Sequence, residues 1–197
     1  MNVAFGFKAH SGWAALVVVA DDEGEIAIVD RRRIELVEEA WAKQPYHAAE
    51  NLPPERARDI VKRGIDAANR IALRELKAAI ARERQRRNEV MACAVLAGAP
   101  MPDWSVDEIL AVHFRMHKAE GVLFRNVLGR AARACSVALV EIPEQSLSEH
   151  AARSLGASAN RLTRQLASIG KTVGPPWGKD QKDAALAALV ALQAQAT

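Results

Sequence analysis

His113, His117 and Glu120 stand at i, i+4 and i+7, a spacing that puts all three on one face of a helix. Two imidazoles and a carboxylate so arranged are a ligand set for a transition metal, and such a site draws a further ligand from elsewhere in the chain. His10 and Asp183 are candidates to supply it. The same stretch also suits a plain amphipathic helix, with Val112, Phe114 and Met116 packed inward and the polar trio at its edge.

Other stretches offer further chemistry. In Lys8-Ala9-His10-Ser11-Gly12-Trp13, His10 is a candidate base or anion contact and Ser11 a hydroxyl donor, while Ser and Gly are equally common turn formers. Asp180 and Asp183 stand at i and i+3 and could share a cation, although Lys179 and Lys182 beside them also fit a self-compensated helix start. Glu141 and Glu144 flank Pro143, and Glu141 could join such a site as an acid or simply stand at an exposed strand end. Arg82, Arg84, Arg86 and Arg87 form a basic cluster suited to phosphate contact, or to the carboxyl end of a helix. Trp177, in the stiff loop 174–178, is either a stacking platform or a cover for the adjoining helix.

The elements that must position these residues follow from pattern. Residues 2–7 and 13–20 are apolar and of strand length, and 25–34 alternate with a period of two. The segment 21–24 is a turn, so the three strands make an antiparallel meander. Residues 41–54 hold Pro45, Pro53 and Pro54 and read as irregular. Residues 55–87 carry a helical stripe of Ile60, Ile65, Ala68, Ile71, Ala72, Leu76 and Ile80 behind Pro54. Residues 90–96 and 137–142 are unbroken apolar runs, expected as buried strands parallel to the first. Between them Ser105 and Glu108 form a capping box that predicts one helix to about residue 134. Short helices over 145–155 and 157–169, a Gly/Pro loop over 170–178 and a closing helix over 179–195 complete the chain. The order β-β-β-α-β-α-β-α predicts an α/β fold, a mixed five-stranded sheet with helices on both faces in a single domain over 1–197.

Composition sets limits. The chain has 197 residues, enough for a sizeable core, and 50% are hydrophobic. A net charge of +3 permits nucleic acid as a partner without requiring it. Cys93 and Cys135 lie in or beside apolar runs without metal-type spacing and read as free thiols in a reducing compartment. Neither a signal peptide nor a membrane-length apolar run is present, and a cytoplasmic location is expected. No phosphate-binding Gly-rich loop appears.

Three stretches resemble the ribonuclease H-like superfamily, and within it the RuvC-type Holliday-junction resolvase branch. Residues 6–14, GFKAHSGWA, are similar to that branch's opening G-I-D-P-G-x-x-x-x-G-W. Residues 137–143 with the helices after them resemble its last strand. Residues 179–187, KDQKDAALA, resemble its terminal D-x-x-D-A-x-x-x-A helix. The resemblance implies a working edge bordered by the bend at His10, with divalent metal, Mg²⁺ or Mn²⁺ before Zn²⁺, held by carboxylates.

Two departures qualify it. The family's first metal-binding Asp falls at Lys8 or its neighbour, and its second acid falls in Leu96-Ala97-Gly98-Ala99, where there is none. Two-metal phosphoryl transfer needs several carboxylates converging on ions about 4 Å apart. The first reading is therefore a nucleic-acid-binding or regulatory protein with a degenerate nuclease site. The alternative is a divergent metal-dependent nuclease or phosphodiesterase. It would use Lys8, His10, Ser11, Glu120 and Asp183 for catalysis, with His113, His117, Glu120, Asp180 and Asp183 as metal ligands. A homodimer is compatible with either. The site is expected where the bend at Lys8–Ser11, the helix bearing Glu120 and the helix bearing Asp183 meet.

Overall fold

The computed structural model describes residues 1–22 and 25–195, so the turn expected at 21–24 lies partly outside the described residues. Three strands, β1 (Asn2–His10), β2 (Trp13–Asp22) and β3 (Glu25–Glu35), form the antiparallel meander. Two more, β4 (Glu89–Ala97) and β5 (Ala138–Pro143), run parallel to β1, and the sheet order is β3-β2-β1-β4-β5. The helices are α1 (Pro45–Ala48), α2 (Pro54–Gln85), α3 (Val106–Leu110), α4 (His113–Ala134), α5 (Leu147–Leu155), α6 (Ala159–Val173) and α7 (Lys179–Gln193). The expected mixed sheet with both faces covered is present.

The period of two in β1 sorts its side chains between the layers. Val3, Phe5 and Phe7 point into a core shared with α2 and α4, where Leu76, Leu123, Phe124 and Leu128 meet them. Ala4 points to the other face, where α5, α6 and α7 pack through Leu147, Leu166, Ala184, Ala188 and Leu189. Gly6 shares that second face, and a Cβ there would lie 1.8 Å from the Ala184 carbonyl oxygen. Only glycine permits α7 to lie this close to β1. Lys8 and His10 continue the same face beyond Gly6, which aims them at the start of α7.

A third apolar cluster joins α1 to the amino-terminal ends of α2 and α4. Tyr46, Ala57, Val61, Ile109, Met116 and Ala119 bury one another there. It fixes His47, next to Tyr46, beside the first turns of α4.

Three expectations are corrected. The single helix over 105–134 is two. The capping box at Ser105 and Glu108 forms, but Val112 is extended and α4 starts afresh at His113. Burial of Ile109 and Met116 in one cluster turns the chain where no local breaker stands. The strand expected buried over 137–142 is parallel but lies at the sheet edge, with Ile142 its only buried residue. Its apolar run is accounted for by Leu139 and Val140 packing, each partly exposed, on opposite faces. The 41–54 segment contains a 3-10 turn (Ala40–Lys43) and α1 rather than being wholly irregular.

Arg31 holds the loop before α7 in place. Its guanidinium donates to four successive carbonyls, those of Val173, Gly174, Pro175 and Pro176. This links β3 to the entrance of α7 and so to the orientation of Asp180 and Asp183.

Candidate functional site

At the carboxyl end of β1 three carboxylates converge on one ammonium. Lys8 Nζ donates to Asp183 Oδ2 at 2.7 Å and pairs with Glu144 Oε1 at 3.0 Å and Asp180 Oδ1 at 3.4 Å. Lys8 is only 6% exposed. Burial alone draws its pKa down, but the hydrogen bonds to Asp183 and Glu144 outweigh that and raise it well above the ordinary lysine value. For Asp183 burial acts upward, and the bonds from Lys179 and Lys8 prevail, holding the carboxyl below its usual range. Both groups are charged at neutral pH, and each offsets the desolvation cost of the other.

The acid that completes this cluster is Glu144, in the turn after β5. Of the two readings of Glu141, an acid of the site or an exposed strand end, the second holds: it pairs with Arg133 on the outer edge at 3.1 Å. Arg125, which sequence reasoning missed, lies at the end of β4. A Cβ on Gly98 would sit 2.5 Å from Arg125 Nη1, so the guanidinium lies against the backbone where the fold's second acid is expected. Arg125 donates to the Gly121 carbonyl at 2.7 Å and to Glu144 Oε2 at 3.3 Å, and its buried Nε has no partner. Its one sequence signal is a lone cation inside the apolar stripe Leu123, Phe124, Val127 and Leu128. Glu144 thus bridges two cations, Lys8 and Arg125.

A divalent metal does not fit this arrangement. The position between the carboxylates, where a cation would bind, is taken by Lys8 Nζ, and the acid expected at β4 is replaced by a guanidinium. Beside it a groove of about 730 Å³ opens at the ends of β4 and β5, lined by Gly98, Pro100, Arg125, Glu144, Gln145 and Lys179.

His10 extends the network. Its Nε2 bonds Asp180 Oδ2 at 3.0 Å, and its ring stacks on Trp13 at 4.3 Å between centroids and 14° between planes. The Arg33 guanidinium covers the Trp13 ring at 3.9 Å. Ser11 is exposed and, with His10, Glu120 and Arg125, lines a cavity of about 210 Å³. The bend and the Glu120 helix therefore border one cavity, while the carboxylates of Glu120 and Asp183 serve different partners.

Glu120, 5% exposed, turns to His47. Its Oε2 lies 2.7 Å from His47 Nδ1, and its Oε1 accepts from the His47 backbone N–H at 3.1 Å. His113 Nε2 and His117 Nε2 are 3.1 Å apart, and ligand atoms of His47, His113 and His117 all fall within 4.8 Å of one another. The reading of Glu120 as a direct ligand beside His113 and His117 is corrected: the third group facing them is His47, and Glu120 stands behind it. His47 and His113 are separated in sequence by the whole of α2, so no local spacing pointed to their meeting.

The Arg82–Arg87 cluster lies at the opposite end of the sheet. It closes α2 and leads into β4, whose first residue pairs with Asn2, whereas Lys8 and His10 end β1. Arg86 pairs with Glu83 at 2.6 Å and with Asp30 at 3.6 Å. Trp177 covers α6, donating to the Leu166 carbonyl at 2.8 Å and packing on Gly170. Cys93 is buried and its thiol is pushed up to about 12, chiefly by burial. Among the described residues no helix is long and apolar enough to cross a membrane.

No family model and no curated protein matches the chain. Among solved structures it is similar to Thermus thermophilus RuvC, with a TM-score of 0.51 at 13% identity over 98% of this chain and 96% of that one. It is similar also to T. thermophilus RuvC in complex with Holliday junction substrate, with a TM-score of 0.52 at 14% identity, covering 100% of this chain and 96% of that one. The chain shares the ribonuclease H-like fold of these structures. At this identity the likeness is one of fold.

Proposed function

We propose that this protein binds nucleic acid on a ribonuclease H-like scaffold whose metal-dependent cleavage site is replaced by an internal ion-pair network. The observation that carries this reading is the position of Lys8 Nζ among Glu144, Asp180 and Asp183. A fixed ammonium supplies the charge that would hold the acids together, but it has no open coordination position at which to activate water or polarise a phosphate. The site keeps the architecture of the fold and loses its chemistry.

The proposed binding surface is the groove at the ends of β4 and β5, where Arg125 and the exposed Lys179 offer cations to a phosphate backbone. The solved RuvC complex with a Holliday junction supports branched DNA as the partner class to try first. The competing reading, a nuclease built on His117, Glu120 and Asp183, loses support because Glu120 is engaged by His47 and Asp183 by two lysines.

Fluorescence anisotropy with a labelled four-way DNA junction, a duplex and a single strand tests this proposal. The expected result is salt-dependent binding, with the logarithmic salt slope reduced by about one in Lys179→Ala, and no cleavage with Mg²⁺ or Mn²⁺. Absence of binding to all three probes at low salt would refute the binding role. Mg²⁺-dependent cleavage abolished by Asp183→Ala would refute the loss of chemistry.

A further inference from the structure

We propose that His47, His113 and His117 form a Zn²⁺ site, separate from the acid cluster and independent of nucleic-acid binding. Three imidazoles from two elements, α1 and α4, bring ligand atoms within 4.8 Å of one another. Nε2 of His113 and Nε2 of His117 face each other at 3.1 Å. Two ligands of a tetrahedral Zn²⁺ with bonds of roughly 2.0–2.1 Å stand about 3.3 Å apart, so this pair needs almost no movement to accept the ion.

Glu120 is the second, independent observation. A carboxylate that is only 5% exposed is costly to keep unless its partners justify it. Both its oxygens are used on His47, one on the ring Nδ1 and one on the backbone N–H. Since a carboxylate accepts, Nδ1 carries the hydrogen and the lone pair lies on Nε2, the nitrogen left for a metal. This carboxylate–histidine arrangement fixes the tautomer and aim of a metal ligand. Glu50 Oε1 stands at ion-pair distance from His113 Nδ1, 3.5 Å, a looser contact made by an exposed carboxylate.

The donor set selects the ion. Neutral imidazoles suit borderline transition metals, whereas Mg²⁺ and Ca²⁺ prefer oxygen. Three protein ligands leave one tetrahedral position, and the 62% exposed His113 side chain places the site at the surface, so a water or an external ligand can take it. The ion would tie α1 to the first two turns of α4. The break at Val112, which starts α4 at His113, leaves both of its histidines beside His47.

Isothermal titration of chelator-stripped full-length protein with ZnSO₄, and visible absorption after adding Co²⁺, test the proposal. The expected result is one Zn²⁺ per chain and the intense visible bands of four-coordinate Co²⁺. Binding is expected to be lost in His47→Gln and in the double variant His113→Gln/His117→Gln, and weakened roughly ten- to hundredfold in Glu120→Gln. Because His113 and His117 are exposed, their double variant should keep the circular dichroism spectrum and metal-free melting temperature of the parent, separating loss of ligand from loss of fold. The proposal is overturned if the stripped protein takes up no Zn²⁺, or if stoichiometric uptake persists unchanged in the double variant.

Discussion

Lys8 Nζ and Asp183 Oδ2 lie 2.7 Å apart although 175 residues separate them in sequence. This bond joins the first strand to the last helix, and it sits where a ribonuclease H-like fold otherwise gathers acids around metal. On the reading proposed above, Lys8 supplies the charge of such an ion to the three carboxylates but none of its chemistry.

Lys8→Met removes the charge and leaves Glu144, Asp180 and Asp183 facing one another. Breaking a buried pair by removing one partner costs about 3–5 kcal/mol. Urea unfolding should register a loss of that order. Added Mn²⁺ should recover part of it in the variant by re-balancing the carboxylates, with a smaller effect on the parent. Equal Mn²⁺ effects on both would contradict the replacement of metal by ammonium.

The same pair sets a pH window. Asp183 has a lowered folded pKa, so its contribution is full above the ordinary carboxylate value of about 3.9 and is lost as pH falls through the lower folded value. Lys8 has a raised folded pKa, so its contribution is full below the ordinary lysine value of about 10.4 and is lost as pH rises through the higher folded value. The stability difference between the parent and Lys8→Met should therefore stay flat across neutral pH and shrink at both extremes.

Gly6→Ala tests the packing that aims the site. The added methyl would meet the Ala184 carbonyl at 1.8 Å, a backbone atom that cannot swing away. A destabilisation of about 3 kcal/mol or more is expected, at the upper end for overpacking. Since α7 must retreat, reactivity of Lys8 toward an amine reagent should rise as its bond to Asp183 lengthens.

Arg31→Ala should loosen the loop before α7. Four carbonyls lose one shared donor, a single cation two of whose bonds are exposed, so the net loss is about 1.5–3 kcal/mol for the whole set rather than for each bond. Faster hydrogen exchange and proteolysis confined to residues near 174–178 are expected, with a melting temperature reduced by a few degrees.

Strand identity and order were legible because alternation in β3 and unbroken apolar runs in β1, β2 and β4 have few other readings. The edge position of β5 was not, since Leu139 and Val140 look as apolar in a half-covered strand as in a buried one. The resemblance placed Lys8 where an acid was expected, and Asp180 and Asp183 at the start of the last helix, which is where they stand. What it did not indicate was that the three would bond. Glu144, Arg125 and His47 escaped for one physical reason: each is brought to its partner by tertiary packing. Glu144 meets Lys8 across the sheet end, Arg125 lies over Gly98 from α4, and His47 reaches α4 through the cluster around Tyr46 and Met116.

The most direct test is a crystal soaked in MnCl₂, with anomalous scattering measured at the acid cluster. No manganese peak is expected among Glu144, Asp180 and Asp183, with Lys8 Nζ still bonded to Asp183. A manganese ion bound by Asp180 and Asp183, with the Lys8 side chain turned away, would contradict it.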